Sequence, residues 1–127
     1  MNKNKYHYDR PDIKKILLKL GLKKNESVFL STSLGALGTP NSKNKNYTLT
    51  TSRWLLDSIK KIIGKNGNIF VPTYSYTFTK VKKKFNPKKT KAEIGYFPNF
   101  FLRQRNITRS FDPMMSIAGL GPDVKDV

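Results

Sequence analysis

Two short apolar runs constrain this chain most: Ser27-Val28-Phe29-Leu30-Ser31 and Asn68-Ile69-Phe70-Val71-Pro72. β-branched and aromatic residues suit extended backbone, and both runs are too short for a helix, so each reads as a buried strand. Between them, about Thr51 to Ile63 reads as a helix. Leu55, Ile59, Ile62 and Ile63 recur at helical spacing. Thr50 or Thr51 can cap the start, and Gly64 and Gly67 end it. Lys60, Lys61 and Lys65 stand near its C-terminal end, where the helix dipole favours cations. The order strand, helix, strand predicts a parallel pairing through a right-handed crossover. Both strands then end on one edge of the sheet. The loop after Ser31 lies beside the loop after Pro72, where open α/β sheets bind ligands.

The remaining segments fit around this unit. About Pro11 to Leu20 reads as a first helix, with Asp9 as its N-cap, Pro11 in its first turn and Gly21 as its stop. Ile13, Ile16, Leu17 and Leu20 form its apolar face. Asn41 to Asn46 is a solvated polar stretch. Tyr74 to Lys91 is basic and aromatic and reads as a long excursion over the surface, a kind of loop that usually carries function. A short helix is predicted over Tyr96 to Arg103, and Ser116 to Gly121 starts another strand.

Composition removes several classes of chemistry. The 127 residues suffice for one domain and contain no cysteine, which excludes disulfides, cysteine-based zinc sites and a cysteine nucleophile. The sole histidine, His7, sits in a polar N-terminal stretch and reads as solvated. No segment approaches the ~20 apolar residues of a membrane helix. The N-terminus lacks the apolar core of a secretory signal, so cytoplasm is the expected location. The formal net charge is +17, which attracts phosphate-bearing partners of any kind. The lysines are mostly scattered, as compositional drift in an AT-rich genome produces. One dense cluster comprises Lys80, Lys82, Lys83, Lys84, Lys88, Lys89 and Lys91.

Four segments, in order, resemble the aminoglycoside N(3)-acetyltransferase family. Ser31-Thr32-Ser33-Leu34-Gly35-Ala36-Leu37-Gly38 is similar to the family's His-Ser-Ser-Leu-Ser loop and the small-Leu-Gly turn after it. Gly67 to Ser75 resembles its Gly-Thr-Leu-x-x-Pro-Thr-Phe-Ser/Thr segment. Phe85-Asn86-Pro87 through Gly95 resembles Phe-Asp-Pro…Ser-x-x-Gly. Arg109-Ser110-Phe111-Asp112-Pro113-Met114-Met115-Ser116 through Gly121 is similar to Arg-Ser-x-His-Pro-x-x-Ser-x-x-x-x-Gly. The likeness runs from about Ile13 onward.

The resemblance implies an α/β fold, a mixed or parallel sheet flanked by helices, of the aminoglycoside N(3)-acetyltransferase type. It implies that residues 1–127 are the N-terminal part of a single acetyltransferase domain, an incomplete (truncated) domain. It also implies acetyl-CoA as acetyl donor, no metal, and a small-molecule amine acceptor, an aminoglycoside or related amino sugar. Cofactor contacts fall on Ser31, Thr32, Ser33, Leu34, Gly35, Thr73, Arg109 and Ser110. Hydroxyls and amides at a strand end suit the pantetheine arm, and Leu34 suits its apolar part. Gly35 and Gly38 permit close approach and unusual φ. Thr73, on the neighbouring loop, can hydrogen-bond the same arm. Arg109 with Ser110 suits a phosphate, and the lysine cluster attracts the cofactor's phosphates. Blander roles fit as well: a Ser/Thr/Gly turn, a surface ion pair for Arg109, and a strand end at Pro72.

The sequence also departs from the family. Ser31, Asp112 and Met115 stand where the family carries histidine, and an ionised Asp112 only accepts hydrogen bonds. The family's general base is a histidine in an Asn-Thr-x-x-His-x-x-Glu segment, which is expected beyond Val127. His7 does not match it. Glu93, which reads as opening the short helix, and Asp112 are the carboxylates near the proposed loops, and neither matches the base. A sheet of two or three strands leaves apolar faces uncovered. The expectation is therefore a truncated product or split reading frame, with the C-terminal half as its partner. A downstream DNA sequence without the His/Glu segment in any frame would count against a split frame. Two other functions stand beside this one. The first is an amino-sugar acetyltransferase of surface polysaccharide synthesis, since a net positive charge repels cationic aminoglycosides. The second, less favoured, is a small basic nucleic-acid-binding protein using Tyr74, Tyr76, Phe78 and Phe85 among the lysines.

Overall fold

The computed structural model describes residues 5–77, 80 and 84–126. Phe78, Lys82 and Lys83 lie outside them, as does the expected general base. Helix α1 is Arg10–Lys19, with Asp9 at its N-cap. Asp12 accepts the Asp9 amide at 2.7 Å, satisfying a donor that the helix start leaves free. Strand β1 is Ser27–Phe29, and a short 3-10 turn follows at Leu34–Leu37. Helix α2 is Tyr47–Ile63, β2 is Asn68–Pro72 and α3 is Tyr96–Leu102. Strands β3, Thr108–Arg109, and β4, Ile117–Leu120, complete a mixed sheet. The order is β1-β2-β4-β3, with β1 parallel to β2 and the other pairs antiparallel. The sequence-level crossover from β1 through α2 to β2 is therefore present, with Phe29 opposite Phe70.

One hydrophobic cluster joins the helices to one face of the sheet. Ile13 of α1, Leu55, Leu56, Ile59 and Ile63 of α2, and Phe97, Phe100 and Phe101 of α3 meet Ile69, Val71 and Ala118. Strand side chains alternate between faces, so Ile69 and Val71 enter this cluster while Phe70 points the other way. Burying each such side chain contributes roughly 1.5–3 kcal/mol. No helix among the described residues is long and apolar enough to cross a membrane.

The structure corrects several expectations. β1 is not a buried strand. It is a sheet edge paired on one side only, and Phe29 is 57% exposed. The sheet has four strands rather than two or three, because the two-residue β3 carries no hydrophobic period to reveal it. α2 begins a turn earlier than expected. Asn46 is its N-cap and accepts the Leu49 amide at 3.2 Å, while Thr50 and Thr51 are buried inside the helix. The predicted face of α1 is only partly used. Ile13 is buried and Leu17 packs on the core, but Ile16 and Leu20 are exposed, since α1 packs mainly against α2. Glu93 does not open α3, whose N-cap is Gly95. It binds the Thr77 hydroxyl and accepts the Thr77 amide at 3.1 Å. These bonds hold the Glu93 carboxyl below the usual carboxylate range.

Candidate functional site

The alignment of β1 with β2 ends where the Leu30 amide donates to the Phe70 carbonyl at 2.8 Å. The chain then turns away and presents an open polar surface at the strand ends. Ser31 and Ser33 are exposed and Thr32 is half-buried. Among the described residues none of their hydroxyls has a hydrogen-bond partner. The Ala36 amide donates to the Ser33 carbonyl at 3.1 Å and closes the 3-10 turn. Leu34 lies against the core and anchors this turn. Gly35 sits on the open side, where an added Cβ would meet nothing within 4 Å. The loop therefore offers hydroxyls, amide donors and a clear approach at one place.

Gly38, at the end of the turn, needs its missing side chain for two reasons. Its φ is +84°, a left-handed value that penalises other residues, and an added Cβ would meet the His7 ring at 2.8 Å. His7 is exposed, in line with its polar surroundings in the sequence, but it is not without contacts. Its ring covers Gly38, and its Nδ1 accepts the Thr39 amide at 2.9 Å.

Thr73, Arg109 and Ser110 occupy a second, interior cluster. Thr73 is fully buried, and its amide and hydroxyl donate to the Ser116 carbonyl at 2.9 and 3.0 Å. The Ser116 hydroxyl donates to the Thr73 carbonyl at 3.0 Å. Arg109 is also buried, at 7% exposure, so it is not a surface ion pair. Its Nε donates to Ser116 Oγ at 3.0 Å and one Nη2 hydrogen to the Thr73 carbonyl at 2.9 Å. Nη1 donates to the carbonyls of Pro87, at 3.3 Å, and Thr90. The guanidinium carbon lies 5.0 Å from the centre of the Phe85 ring. These hydrogen-bond partners are all neutral oxygens, and burial lowers the Arg109 pKa. Ser110 spans the β3–β4 turn, with its Oγ accepting the Ile117 amide at 2.9 Å.

The sequence-derived residues thus divide in two. Ser31 to Gly35 form an exposed loop. Thr73 and Arg109 with Ser116 form a buried lattice that ties the long segment after β2 to the sheet. Ser116, which carries no distinguishing signal in the sequence beyond its place in the Arg-Ser segment, is the hub of that lattice. Asp112 accepts the amides of Met114 and Met115, each at 2.8 Å, which hold its carboxyl below the usual range.

Lys80, Lys84, Lys88, Lys89 and Lys91 are exposed. Lys88, Lys89 and Lys91 border a shallow depression of about 330 Å³ with Arg103. A larger depression, about 730 Å³, lies beside β3 and includes Phe85, Thr108 and Phe111 in its wall. It stands at the opposite sheet edge from the Ser31 loop. Among the described residues Arg10–Asp57, at 3.2 Å, is the only ion pair, and no group of three or more His, Cys, Asp or Glu side chains is placed to hold a metal.

A mixed four-stranded sheet with one helical layer, and an open Ser/Thr/Gly loop at the ends of its parallel strands, defines an α/β fold. Residues 32–127 match the family model described as aminoglycoside 3-N-acetyltransferase. The chain belongs to that family. No curated protein matches it in sequence. Among solved structures it is similar to YokD from Bacillus subtilis, with 19% identity and TM-score 0.76, over 89% of this chain and 50% of that one. It is similar to the aminoglycoside acetyltransferase AAC(3)-IVa apoenzyme, with 18% identity and TM-score 0.78, over 97% and 44%. A third similar structure, AAC(3)-Xa, shows 24% identity and TM-score 0.73, over 89% and 43%. The chain therefore spans half or less of the length of these structures. Other matching structures contain ligands: AAC-IIIb is a binary complex with CoASH, and AAC-VIa has bound sisomicin.

Proposed function

We propose that this chain carries the acyl-donor side of an acetyltransferase site, the N-terminal part of a single acetyltransferase domain. Acetyl-CoA is the donor, and an amino group of an aminoglycoside or related amino sugar is the acceptor. The observation that carries this reading is the open Ser31–Gly35 loop, with unpaired hydroxyls and clear space over Gly35, at the ends of two parallel strands. In this reading Ser31, Thr32, Ser33 and Gly35 contact the pantetheine arm and Leu34 flanks it. Thr73, Arg109 and Ser110 serve the donor site from behind, by holding the strand ends and the long basic loop in place. The exposed lysines of that loop attract the donor's phosphates. The CoASH complex of AAC-IIIb and the sisomicin complex of AAC-VIa support these two substrate classes by similarity of fold. Cytoplasm, where acetyl-CoA is found, is the matching location.

Acetyl transfer joins the amine nitrogen to the acetyl carbon, breaks the thioester and releases the CoA thiol, and the amine must lose a proton to a base. The candidates nearest the proposed loops, His7, Glu93 and Asp112, do not fit that role. His7 Nδ1 is occupied by the Thr39 amide. Glu93 and Asp112 are weak bases, their pKa values lowered by the hydrogen bonds that they accept. We assign the base to protein outside these residues.

Calorimetric titration of the 127-residue chain with CoA tests the donor site. Binding that weakens with substitutions at Ser31 and Ser33 is expected; no binding overturns the proposal. An acetylation assay with the same chain is expected to show no turnover, and a measurable rate would disprove the assignment of the base. The net charge of +17 disfavours a free polycationic aminoglycoside and leaves one variation, an acceptor amino sugar of a surface polysaccharide. Salt-titrated binding to single-stranded DNA, run against the CoA titration, separates the nucleic-acid reading: tight DNA binding that persists at physiological salt, without CoA binding, would favour it.

A further inference from the structure

The segment at His7 and Tyr8 precedes residue 32, where the family match begins, yet it is built into the loop that follows β1. The His7 amide donates to the Thr39 carbonyl at 2.8 Å. The Thr39 amide returns a hydrogen bond to His7 Nδ1 at 2.9 Å. The Asn41 amide donates to the Tyr8 carbonyl at 2.8 Å, and Tyr8 and Pro40 form a parallel bridge. An amide donor at Nδ1 requires that nitrogen to be unprotonated, so the neutral ring carries its hydrogen on Nε2.

The strap is anchored on the rigid side. The Tyr8 hydroxyl lies 2.6 Å from Thr51 Oγ1, which is buried in α2. The Tyr8 ring meets Trp54 edge-on, with centroids 6.4 Å apart and planes at 80°. Tyr8 thus holds the strap to the helix, while His7 grips the exit of the 3-10 turn that contains Gly35. His7 itself is exposed, so its geometry reflects these bonds and not enclosure by a core. A short loop rich in small residues has many conformations to lose, and fixing one end reduces that loss before a ligand arrives.

We propose that His7 and Tyr8 are positioning residues that hold the Ser33–Gly38 turn in its ligand-ready shape, a role that rests on the reading of this turn as the acyl-donor loop. His7 acts through its Nδ1 acceptor and the cover that its ring gives Gly38. Tyr8 acts through its hydroxyl on Thr51.

The test compares the wild-type chain with His7→Ala, His7→Asn and Tyr8→Phe. Two readouts are taken: CoA affinity by calorimetry, and hydrogen exchange of the Thr39 and Asn41 amides without ligand. His7→Ala is expected to weaken CoA binding about 5- to 10-fold, as the loss of one preorganising hydrogen bond implies. It is also expected to deprotect the Thr39 amide while leaving the thermal midpoint nearly unchanged. Asn places an amide oxygen near the position of Nδ1, so His7→Asn is expected to recover most of both effects, which a purely steric role would not allow. Tyr8→Phe keeps the ring on Trp54 and is expected to weaken binding by a smaller factor. If wild type binds CoA and His7→Ala binds it equally well, the strap proposal is wrong and the donor-site reading stands. If wild type binds no CoA, the donor-site reading fails and takes the functional half of this proposal with it. Thr39 exchange equal in wild type and His7→Ala overturns the structural half.

Discussion

Arg109 Nη2 donates to the carbonyl oxygen of Thr73 at 2.9 Å, joining the edge strand β3 to the end of β2 across the intervening β4. The same guanidinium reaches the carbonyls of Pro87 and Thr90. One side chain therefore satisfies carbonyls from two parts of the chain, with Ser116 as the shared hydroxyl.

Removing that fork is expected to be costly. Arg109→Met leaves several carbonyls and Ser116 short of a donor, and hydrogen bonds to charged groups contribute about 1.5–3 kcal/mol each. A loss of roughly 3 kcal/mol in denaturant unfolding is expected. Arg109→Lys should recover only part of it, because an ammonium cannot match a planar fork. An Arg109→Lys chain as stable as wild type would contradict this account.

Thr73→Val keeps the shape and removes the hydroxyl. The Ser116 carbonyl retains the Thr73 amide at 2.9 Å, so the expected loss is smaller, about 1–2 kcal/mol. Combined with Arg109→Met, the two losses should fall short of their sum, because both residues share Ser116. Strict additivity in a double-mutant cycle would show that the lattice is not a unit.

The two glycines of the Ser33–Gly38 turn should respond oppositely. Gly38→Ala is expected to destabilise the fold by about 1–3 kcal/mol, the cost of a Cβ at φ +84° and ψ −157°, a region essentially reserved for glycine, with the clash against His7 added. Gly35→Ala meets open space and no positive φ. It should leave thermal stability unchanged and weaken CoA binding. A Gly35→Ala chain that binds CoA normally would move the donor away from this turn.

Acid should loosen the segments flanking the sheet end. The folded-state pKa values of Glu93 and Asp112 lie below their ordinary values, because both accept hydrogen bonds. The stability they add is therefore present above the unfolded-state values and lost as pH falls through the lower, folded-state ones. Exchange protection at the amides of Thr77, Met114 and Met115 is expected to drop on the acid side of the usual carboxylate range. In Glu93→Gln the change at Thr77 should disappear, while that at Met114 and Met115 remains.

The local code was legible wherever a periodic pattern or a cap faced a single neighbour. Leu55, Ile59 and Ile63 announced α2 by their spacing, and Asn68 to Pro72 announced β2, because alternation and helical period are written in consecutive residues. The parallel pairing of β1 and β2 followed from the crossover length. The family likeness was legible too, in four short segments whose order is a property of the chain. Other features depended on distant residues. Nothing in Thr73 or Arg109 marks them as interior. They are buried because Ser116 and the carbonyls of Pro87 and Thr90 arrive from elsewhere to satisfy them, and a polar group enters the interior only when its partners do. β1 has the composition of a buried strand and lies at an edge because, among the described residues, no strand pairs on its far side. His7 reads as a solvated residue until the fold brings Gly38, which has no side chain, under its ring. Sequence alone determined the helices, the two parallel strands and the family likeness; the tertiary structure decided which polar residues stand open at the strand ends and which hold the frame, since that depends on hydrogen-bond partners tens of residues away.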